Sequence, residues 1–493
     1  MAIKNRFNLI NEPWIPVAGS GLVSLSEIFS NPKLTGLGGN PIQKISVIKL
    51  LLAIAQAAYT PKDDEDWKRL GAEGLAKQSL GYLDSKRDLF WLYGKNPFLQ
   101  MPQVFIANLQ SFGALQPYVA TGNTTVLMQS QIESPMNDAD KASLVLLMMG
   151  FALGGKKTDN GIVLSSGYKG KVNNKGRPST GKPGPSVGFL GFLHTFVTGS
   201  SICETIWLNL FSKEDIQNFQ EGVGIPPWEA MPKGEDCVIA QRLKKSYMGR
   251  LIPLSRFVLI SETGIHYSEG IMHPGYADGS VDMSVAVDFS RAKPKVLWTD
   301  SERRPWRQLT ALLSFFDSGS TQKTFDCPQL RIGIQRAKKH LNQIGVWAGG
   351  LRISSNAGEQ YVSGNDDFVE SEVIFNALTL REVWFAHLKN EMGELENLSK
   401  IVYGATLGFF KTQKVDGTEQ ARQAANLFWQ LSERKFQELV NACNDDLGRE
   451  VKILRREFAG FVNKAYDMYC PKDTSRQIDA WAANKPNLSR YLS

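Results

Sequence analysis

The residues most able to do chemistry in this sequence form a basic, glycine-rich stretch at positions 154–191. It contains ten glycines and seven basic residues, and Asp159 is its only acid. Glycine allows a backbone to approach a duplex closely, while lysine and arginine neutralise phosphates and release counterions. The pattern favours a loop that contacts nucleic acid, with a merely solvated surface loop as the alternative. The basic residues are Lys156, Lys157, Lys169, Lys171, Lys175, Arg177 and Lys182.

A second candidate is the short stretch from Gly349 to Gln360, where small polar residues lie between glycines. This composition predicts a tight turn that presents hydroxyl and amide groups. Asparagine and glutamine amides can read base edges, and Arg352 suits guanine or phosphate. An ordinary polar hairpin explains the same residues.

Signatures of catalysis are missing from the sequence. Its five histidines form no HxH or HExxH pattern, and it has neither a phosphate-binding GxxxxGK[ST] loop nor a GxSxG elbow. Acidic clusters occur at Asp63–Asp66, Asp366–Asp367 and Asp445–Asp446, but a two-metal site needs carboxylates that converge on one point. Solvated surface is the favoured explanation of each cluster. We therefore predict no catalytic residue, no metal site and no cofactor.

Bulk properties indicate a soluble protein of more than one domain. A chain of 493 residues exceeds one compact core, and a formal charge of +7 permits only a local nucleic-acid surface. The five cysteines stand far apart, which favours a reducing cytoplasm over a disulfide framework or a zinc ribbon. Positions 1–10 lack a signal-peptide core, and the apolar runs at 50–55 and 142–153 are too short to span a membrane.

Hydrophobic periodicity predicts the elements that must position these segments. Gln43–Thr60 is apolar on nearly every face, which indicates a buried helix that Pro61 ends. Further elements are predicted as follows: extended chain at Asn11–Val17, a helix at Lys141–Leu153, strands at Phe257–Ile260 and Ser284–Phe289, and a helix at Trp306–Phe316.

The last quarter of the chain is predicted to be helical. Amphipathic patterns begin near Ser371 with Val373, and the fourth and last has Asp473 as its N-cap. Four such segments with short connections are typical of a bundle. The predicted fold class is α+β, with a large mixed α/β N-terminal domain at 1–370 and a C-terminal four-helix bundle at 371–493.

Several separate stretches resemble the CasA family, the large subunit of the type I-E CRISPR Cascade complex. They occur in the family's order along nearly the whole chain, and their collinearity is more specific than any single motif. The stretches are Asn8–Val17 with its Trp-Ile-Pro-Val, Ala55–Asp64 with Lys-Asp-Asp, Asn96–Gln100, Gly199–Leu210, which resembles the strand after the glycine loop, and Gly349–Arg352, which resembles the turn leading to a wedge.

The resemblance implies a non-catalytic subunit of an antiviral, RNA-guided complex. Such subunits contact the 5′ end of the guide, recognise the protospacer-adjacent motif (PAM) in double-stranded DNA and start R-loop formation. The implied partners are the crRNA-containing Cascade subunits, double-stranded target DNA and a helicase-nuclease that the subunit helps to recruit. A metal-dependent nuclease subunit and a purely structural guide-RNA-binding assembly subunit are the alternatives.

The resemblance also implies roles for particular residues. The glycine-rich loop that contacts DNA is represented by Lys156, Lys157, Lys169, Gly170, Lys171, Arg177, Lys182 and Gly184. The wedge turn that contacts DNA is represented by Arg352, Ser354, Ser355 and Asn356. The guide-contacting loop is represented by Leu127, Met128 and Gln129.

Overall fold

The computed structural model describes residues 4–113, 135–151, 187–276, 282–290, 294–317, 325–353, 368–444 and 448–492. Their contacts divide them into two compact units. The first comprises the described residues within Met1–Pro305, Thr324–His340 and Ile344–Glu372, and the second those within Trp306–Lys323, Leu341–Gln343 and Val373–Ser493. Helices and strands are mixed in the chain, which confirms the predicted α+β class.

Most of the strands are short, and the sheets they form in the described residues are small. One sheet has three strands in the order β11-β10-β5, and the pairs β1–β4, β2–β3, β6–β7 and β8–β9 form antiparallel ladders. The bounds are β1 Arg6–Asn8, β2 Ile15–Val17, β3 Gly21–Val23, β4 Trp91–Tyr93, β5 His194–Thr198, β6 Arg256–Ile260, β7 Ile265–Glu269, β8 Val287–Asp288, β9 Lys295–Val296, β10 Gln343–Leu351 and β11 Phe368–Asn376.

Helices make up most of the remaining regular structure. Their bounds are α1 Leu25–Ser30, α2 Pro41–Ala58, α3 Asp64–Ser85, α4 Asp138–Gly150, α5 Ile202–Leu208, α6 Val238–Lys244, α7 Met248–Leu251, α8 Leu309–Leu312, α9 Pro328–His340, α10 Glu382–Thr412, α11 Thr418–Glu433, α12 Phe436–Ala442, α13 Arg449–Tyr469, α14 Ser475–Ala483 and α15 Ser489–Leu492.

Helix α2 is the central helix of the first unit and confirms the buried helix predicted at Gln43–Thr60. Asn40 and Gln43 form a reciprocal capping box at its start, and Pro41 occupies the first turn, where its missing N–H costs nothing. Its 18 residues match a membrane span in length and hydropathy, contrary to the expectation that the apolar runs are too short. However, 78% of this segment is buried inside the protein, as in a core helix.

Three other predictions for the first unit are adjusted by the structure. Helix α4 starts three residues before the predicted Lys141, because Asn137 caps it in a box with Asp140. The stretch Gly199–Leu210 was expected to be a strand, but Ser201 caps helix α5 there and the strand β5 precedes it. The predicted strand Ser284–Phe289 is reduced to β8, although Val285 makes a bridge to His194.

In the second unit the predicted helical C-terminal part is confirmed, with different boundaries. Val373 belongs to β11, and the first helix begins only at Glu382, because the chain through Asn376 pairs as a strand. Trp306–Phe316, predicted as one helix, is divided into the short helix α8 and a 3₁₀ helix on either side of it. Thr474, rather than Asp473, caps α14. The short helices α12 and α15 accompany the four longer helices α10, α11, α13 and α14. The four-helix count therefore stays a prediction.

A candidate nucleic-acid interface built from loop roots

The two chain ends that flank residues 152–186 lie side by side. Helix α4 ends at Gly150, and the chain is described again from Val187. Gly188 has a φ of +76°, and a Cβ at that position would lie 2.9 Å from the Gly150 carbonyl oxygen and would collide with the Ser255 hydroxyl. Only glycine fits this conformation and this close approach. We call the two chain ends from which this segment departs, Gly150–Phe151 and Val187–Gly191, its root. The two ends of the root are therefore held in contact with each other.

The second segment, residues 354–367, is flanked by neighbouring strands. Arg352 and Ile353 follow directly after β10, and Phe368 begins β11, which lies beside β10 in the same sheet. Glu370 on β11 accepts a hydrogen bond from Trp347 Nε1 on β10 at 3.0 Å and pairs with Lys44 Nζ at 2.7 Å. The Trp347–Glu370 hydrogen bond links the two strands from which the segment departs, and the Lys44–Glu370 pair links β11 to α2.

The root of the second segment consists of Arg352, Ile353 and Phe368. The structure brings it into direct contact with the root of the glycine-rich segment. A Cβ at Gly191 would lie 2.5 Å from Ile353 Cγ1 and 3.2 Å from Trp298 Cε3, so the absence of a side chain lets the chains touch. Thr299 N–H donates to the Gly191 carbonyl at 2.9 Å, and the Thr299 hydroxyl donates to the Phe192 carbonyl at 3.2 Å. The end of one segment and the start of the other are therefore held together.

An aromatic cluster lies beneath this contact. Phe189 meets Trp298 edge-on with ring centroids 5.1 Å apart, and Phe192 meets Tyr276 edge-on at 5.2 Å. Phe192 and Tyr276 are also part of an apolar core with valines of β8 and β9. Such edge-to-face pairs contribute about 0.5–1.5 kcal/mol beyond the burial of their area. Sequence reasoning missed the cluster, although Phe189 and Phe192 bracket Gly191 in the sequence and were visible there.

Arg352 is the one predicted DNA-contacting residue within the described part of the chain. Its Nη1 donates to Ser301 Oγ at 2.8 Å, and its side chain is partly exposed. Ser301 lies in a turn with the exposed Arg303 and Arg304, which sequence reasoning did not select. The Arg303-Arg304 pair directly before Pro305 was the available signal. Arg352 therefore lies beside a turn that carries two exposed arginines together with the exposed Glu302, and such arginines can contact phosphates.

The other predicted site residues lie outside the described residues, and their roles stay predictions. They are Lys156, Lys157, Lys169, Gly170, Lys171, Arg177, Lys182 and Gly184 of the glycine-rich loop, Ser354, Ser355 and Asn356 of the wedge turn, and Leu127, Met128 and Gln129 of the guide-contacting loop.

The described acidic cluster at 63–66 is occupied by structural bonds. Asp63 caps helix α3, and Asp64 pairs with Arg336 at 2.7 Å. Asp66 accepts from Lys62 N–H and from the Tyr59 hydroxyl, and these bonds hold the pKa of its carboxyl below the usual value. In the described ranges, no group of three His, Cys, Asp or Glu side chains is arranged to hold a metal ion. Asp366, Asp367, Asp445 and Asp446 lie outside those ranges.

Known proteins resemble this chain along nearly its whole length. The family model of CRISPR-associated protein Cse1 matches residues 8–465. CasA/Cse1 of Thermus thermophilus is 27% identical over 342 residues, which is 64% of this chain and only 61% of that relative.

Two solved structures show the same fold. The crystal structure of Thermus thermophilus CasA superposes with a TM-score of 0.73 at 20% identity, over 99% of both chains. A chain of a CRISPR RNA-guided surveillance complex superposes with a TM-score of 0.62 at 14% identity, over 99% of this chain and all of that one. Because the family model spans most of the sequence, this chain belongs to the Cse1 family of CRISPR-associated proteins.

Proposed function

We propose that this protein is the large subunit of an RNA-guided CRISPR surveillance complex. It acts there without catalysis: it recognises the PAM in double-stranded DNA, starts duplex opening and helps to recruit the helicase-nuclease. Membership of the Cse1 family supports the assignment, as does the fold shared with a chain of an RNA-guided surveillance complex. Its partners are the crRNA-containing subunits and the target DNA. It works in the cytoplasm and needs neither a membrane nor a cofactor.

The observation that carries the proposal is the contact between Gly191 and Ile353. A protein that grips a duplex with one segment and separates its strands with another must hold both segments at the same point of the DNA. The contact joins the root of the basic, glycine-rich segment to the root of the polar wedge segment. The segment that grips the duplex is then coupled to the segment that opens it through packed side chains, including the aromatic cluster, rather than through a flexible linker.

A small local contribution to the free energy is sufficient to start the opening of the duplex. Replacing DNA pairs by guide–DNA pairs is close to balanced, so a small favourable contribution at the first pairs decides whether opening proceeds. The minor groove presents a degenerate pattern, which suits a recognition motif that tolerates variants. Lysines supply a salt-dependent term that holds the duplex while the first pairs open.

The test uses the complex reconstituted with this subunit, a guide RNA and duplexes with and without the PAM. In Lys169→Ala/Lys171→Ala, the slope of log affinity against log salt should fall by about 0.9 for each lost phosphate contact. The matched control is Lys68→Ala/Lys77→Ala, two exposed lysines of helix α3, which should leave the slope unchanged. An unchanged slope in the first variant removes those lysines from the DNA interface.

The same preparations separate the two rival functions. DNA cleavage by the purified chain with Mg²⁺ or Mn²⁺, abolished by Asp366→Asn or Asp367→Asn, would establish a nuclease instead. Binding of guide RNA with no preference between duplexes that carry or lack the PAM would establish a purely structural assembly subunit.

A further inference from the structure

A pocket of about 480 Å³ in the first unit is separate from the joined loop roots. Residues of the 215–220 turn, the end of α6, α7 and the start of α9 form its walls. This volume lies in the range of small-molecule sites. Its lining includes an aromatic ring, Phe219, and two exposed amide side chains, Asn218 and Gln220.

Arg250 is the unusual residue of this pocket. Its side chain is buried, with 7% relative exposure of the residue, yet no carboxylate in the described residues lies within ion-pair distance of it. Its Nη1 donates to His273 Nδ1 at 3.2 Å, while His273 Nε2 donates to the Pro253 carbonyl at 2.9 Å. Its Nε is buried and meets no acceptor among the described residues. A guanidinium carries five N–H donors, and that of Arg250 also lies 5.5 Å from the centroid of the Phe219 ring.

The surroundings of Arg250 keep both it and its partner in fixed charge states. Burial, followed by the charge of Arg250, lowers the pKa of His273 to about 3, so this imidazole is neutral and adds no second positive charge beside the guanidinium. Burial also lowers the pKa of Arg250, but a guanidinium starts from a value so high that it stays charged. The charge of Asp282 also acts on Arg250, but that carboxylate is already paired with Lys49, so Arg250 has no ion-pair partner of its own and an added anion would stabilise it.

The other charged groups of the pocket leave it receptive to an anion. Asp326 accepts two hydrogen bonds from Arg331, at 2.9 and 3.2 Å. Asp215 pairs with Arg336 Nη2 at 2.6 Å. Each of the two carboxylates therefore has an arginine partner, and Asp215 shares its arginine with Asp64. Lys245, on the rim, is exposed and has no ion-pair partner among the described residues.

We infer that this pocket binds the phosphate group of a mononucleotide-sized ligand. The phosphate oxygens would accept from Arg250 and Lys245, whose charge-assisted hydrogen bonds are the strongest of their kind. The Phe219 ring and the Asn218 and Gln220 amides would face the remainder of the ligand. The inference does not rest on the proposed function, because it concerns a different set of residues.

Calorimetric titration of the purified full chain tests the inference, with AMP, orthophosphate and adenosine as the probes. AMP and orthophosphate should bind, and adenosine should not. Tighter binding of AMP identifies a nucleotide as the source of the phosphate, whereas equal affinity identifies free phosphate. Adenosine that binds as tightly as AMP, or failure of both phosphate probes at millimolar concentration, overturns the inference.

Variants assign the binding to this pocket. Lys245→Ala removes a surface group and should weaken phosphate binding about tenfold, since a charged hydrogen bond is lost. The matched control is Arg242→Ala, an exposed cation in the last turn of α6 that does not line the pocket. Arg250→Lys keeps the buried charge and loses the planar fork, so it should also weaken binding. Unchanged affinity in both Lys245→Ala and Arg250→Lys contradicts the inference.

Discussion

Lys49 Nζ lies 2.6 Å from Asp282 Oδ2, and both side chains are almost fully buried. Lys49 belongs to α2, while Asp282 also accepts from the Ser284 hydroxyl at 2.8 Å. Burial raises the pKa of Asp282, but the charge of Lys49 opposes it and brings the value to about 2. The pair therefore links the central helix to the segment that leads into β8, and β8 packs against the aromatic cluster of Phe192 and Tyr276.

Removal of one partner of this pair should destabilise the first unit strongly. Lys49→Ala leaves an uncompensated buried carboxylate, which costs about 3–5 kcal/mol. Urea unfolding followed by tryptophan fluorescence measures the loss. The control is Arg87→Ala, which breaks the exposed Arg87–Asp84 pair at 3.4 Å and should cost less than about 1 kcal/mol. Equal losses in the two variants would show that the buried pair contributes no more than a surface one.

Buried histidines predict a loss of stability in mild acid. Burial, followed by the charge of Lys49, lowers the pKa of His194 to about 3, and His273 has a similar value. Below about pH 6.5 the unfolded chain binds protons that the folded chain does not. Stability present above that pH is therefore lost as the pH falls towards 3, by roughly 1.4 kcal/mol per pH unit for each histidine.

The slope of the unfolding free energy between pH 6 and pH 4 measures this effect. His194→Asn removes one of the two groups, so its slope should be smaller than that of the unmodified chain by roughly 1.4 kcal/mol per pH unit. Asp282 does not interfere in this window, because its stabilisation is lost only between about pH 3.8 and 2. Identical slopes in the two proteins would mean that His194 is protonated while the chain is folded.

Substitution at Gly191 should disturb both loop roots. Gly191→Ala forces Ile353 or Trp298 to move and should cost about 1–3 kcal/mol, the usual penalty of an overpacked core. Target opening by the reconstituted complex should fall with it. In Gly191→Ala/Ile353→Ala the losses should be less than additive, because the collision is removed. Strict additivity would contradict the direct contact.

The matched control for this glycine is Gly81, which lies exposed in helix α3. A Cβ there would meet nothing within 4 Å. Gly81→Ala should therefore raise the free energy of unfolding by about 0.5–1 kcal/mol, since alanine loses less backbone entropy in a helix. A lower free energy of unfolding in Gly191→Ala and a higher one in Gly81→Ala would distinguish close packing from a general effect of glycine replacement.

Local patterns in the sequence predicted the elements that local physics determines. Helix α2 was predictable from its apolar residues and Pro61, and α13 from an apolar stripe that repeats at helical spacing. Val373 was misassigned because its apolar neighbours fit a helix as well as a strand, and only pairing with β10 decides between them. Short strands in general depend on partners that are distant in sequence.

The candidate sites depend even more on distant contacts. Gly191 touches Ile353 across more than a hundred residues, and no periodicity predicts that contact. Arg250 and Asp326 line one pocket for the same reason. Sequence reasoning found the basic loop through its composition, which is a local property. It could not find the aromatic cluster and the glycine contact that join the two segments, because these depend on tertiary packing.

The wedge segment is expected to act after the duplex is bound. Asn356→Ala should leave the affinity for a duplex that cannot open nearly unchanged and should slow the appearance of unpaired bases in a normal target. The physical reason is that opening is nearly balanced, so the loss of one amide contact to the first separated pair, about 1 kcal/mol, lowers the opened fraction about fivefold. A fluorescent base analogue beside the PAM reports opening, and filter binding reports affinity.

The matched control is Asn365→Ala, a second asparagine of the same segment outside the wedge turn. Equal losses in binding and in opening for Asn356→Ala would assign this residue to gripping, whereas an effect confined to opening supports strand separation by the segment rooted at Ile353.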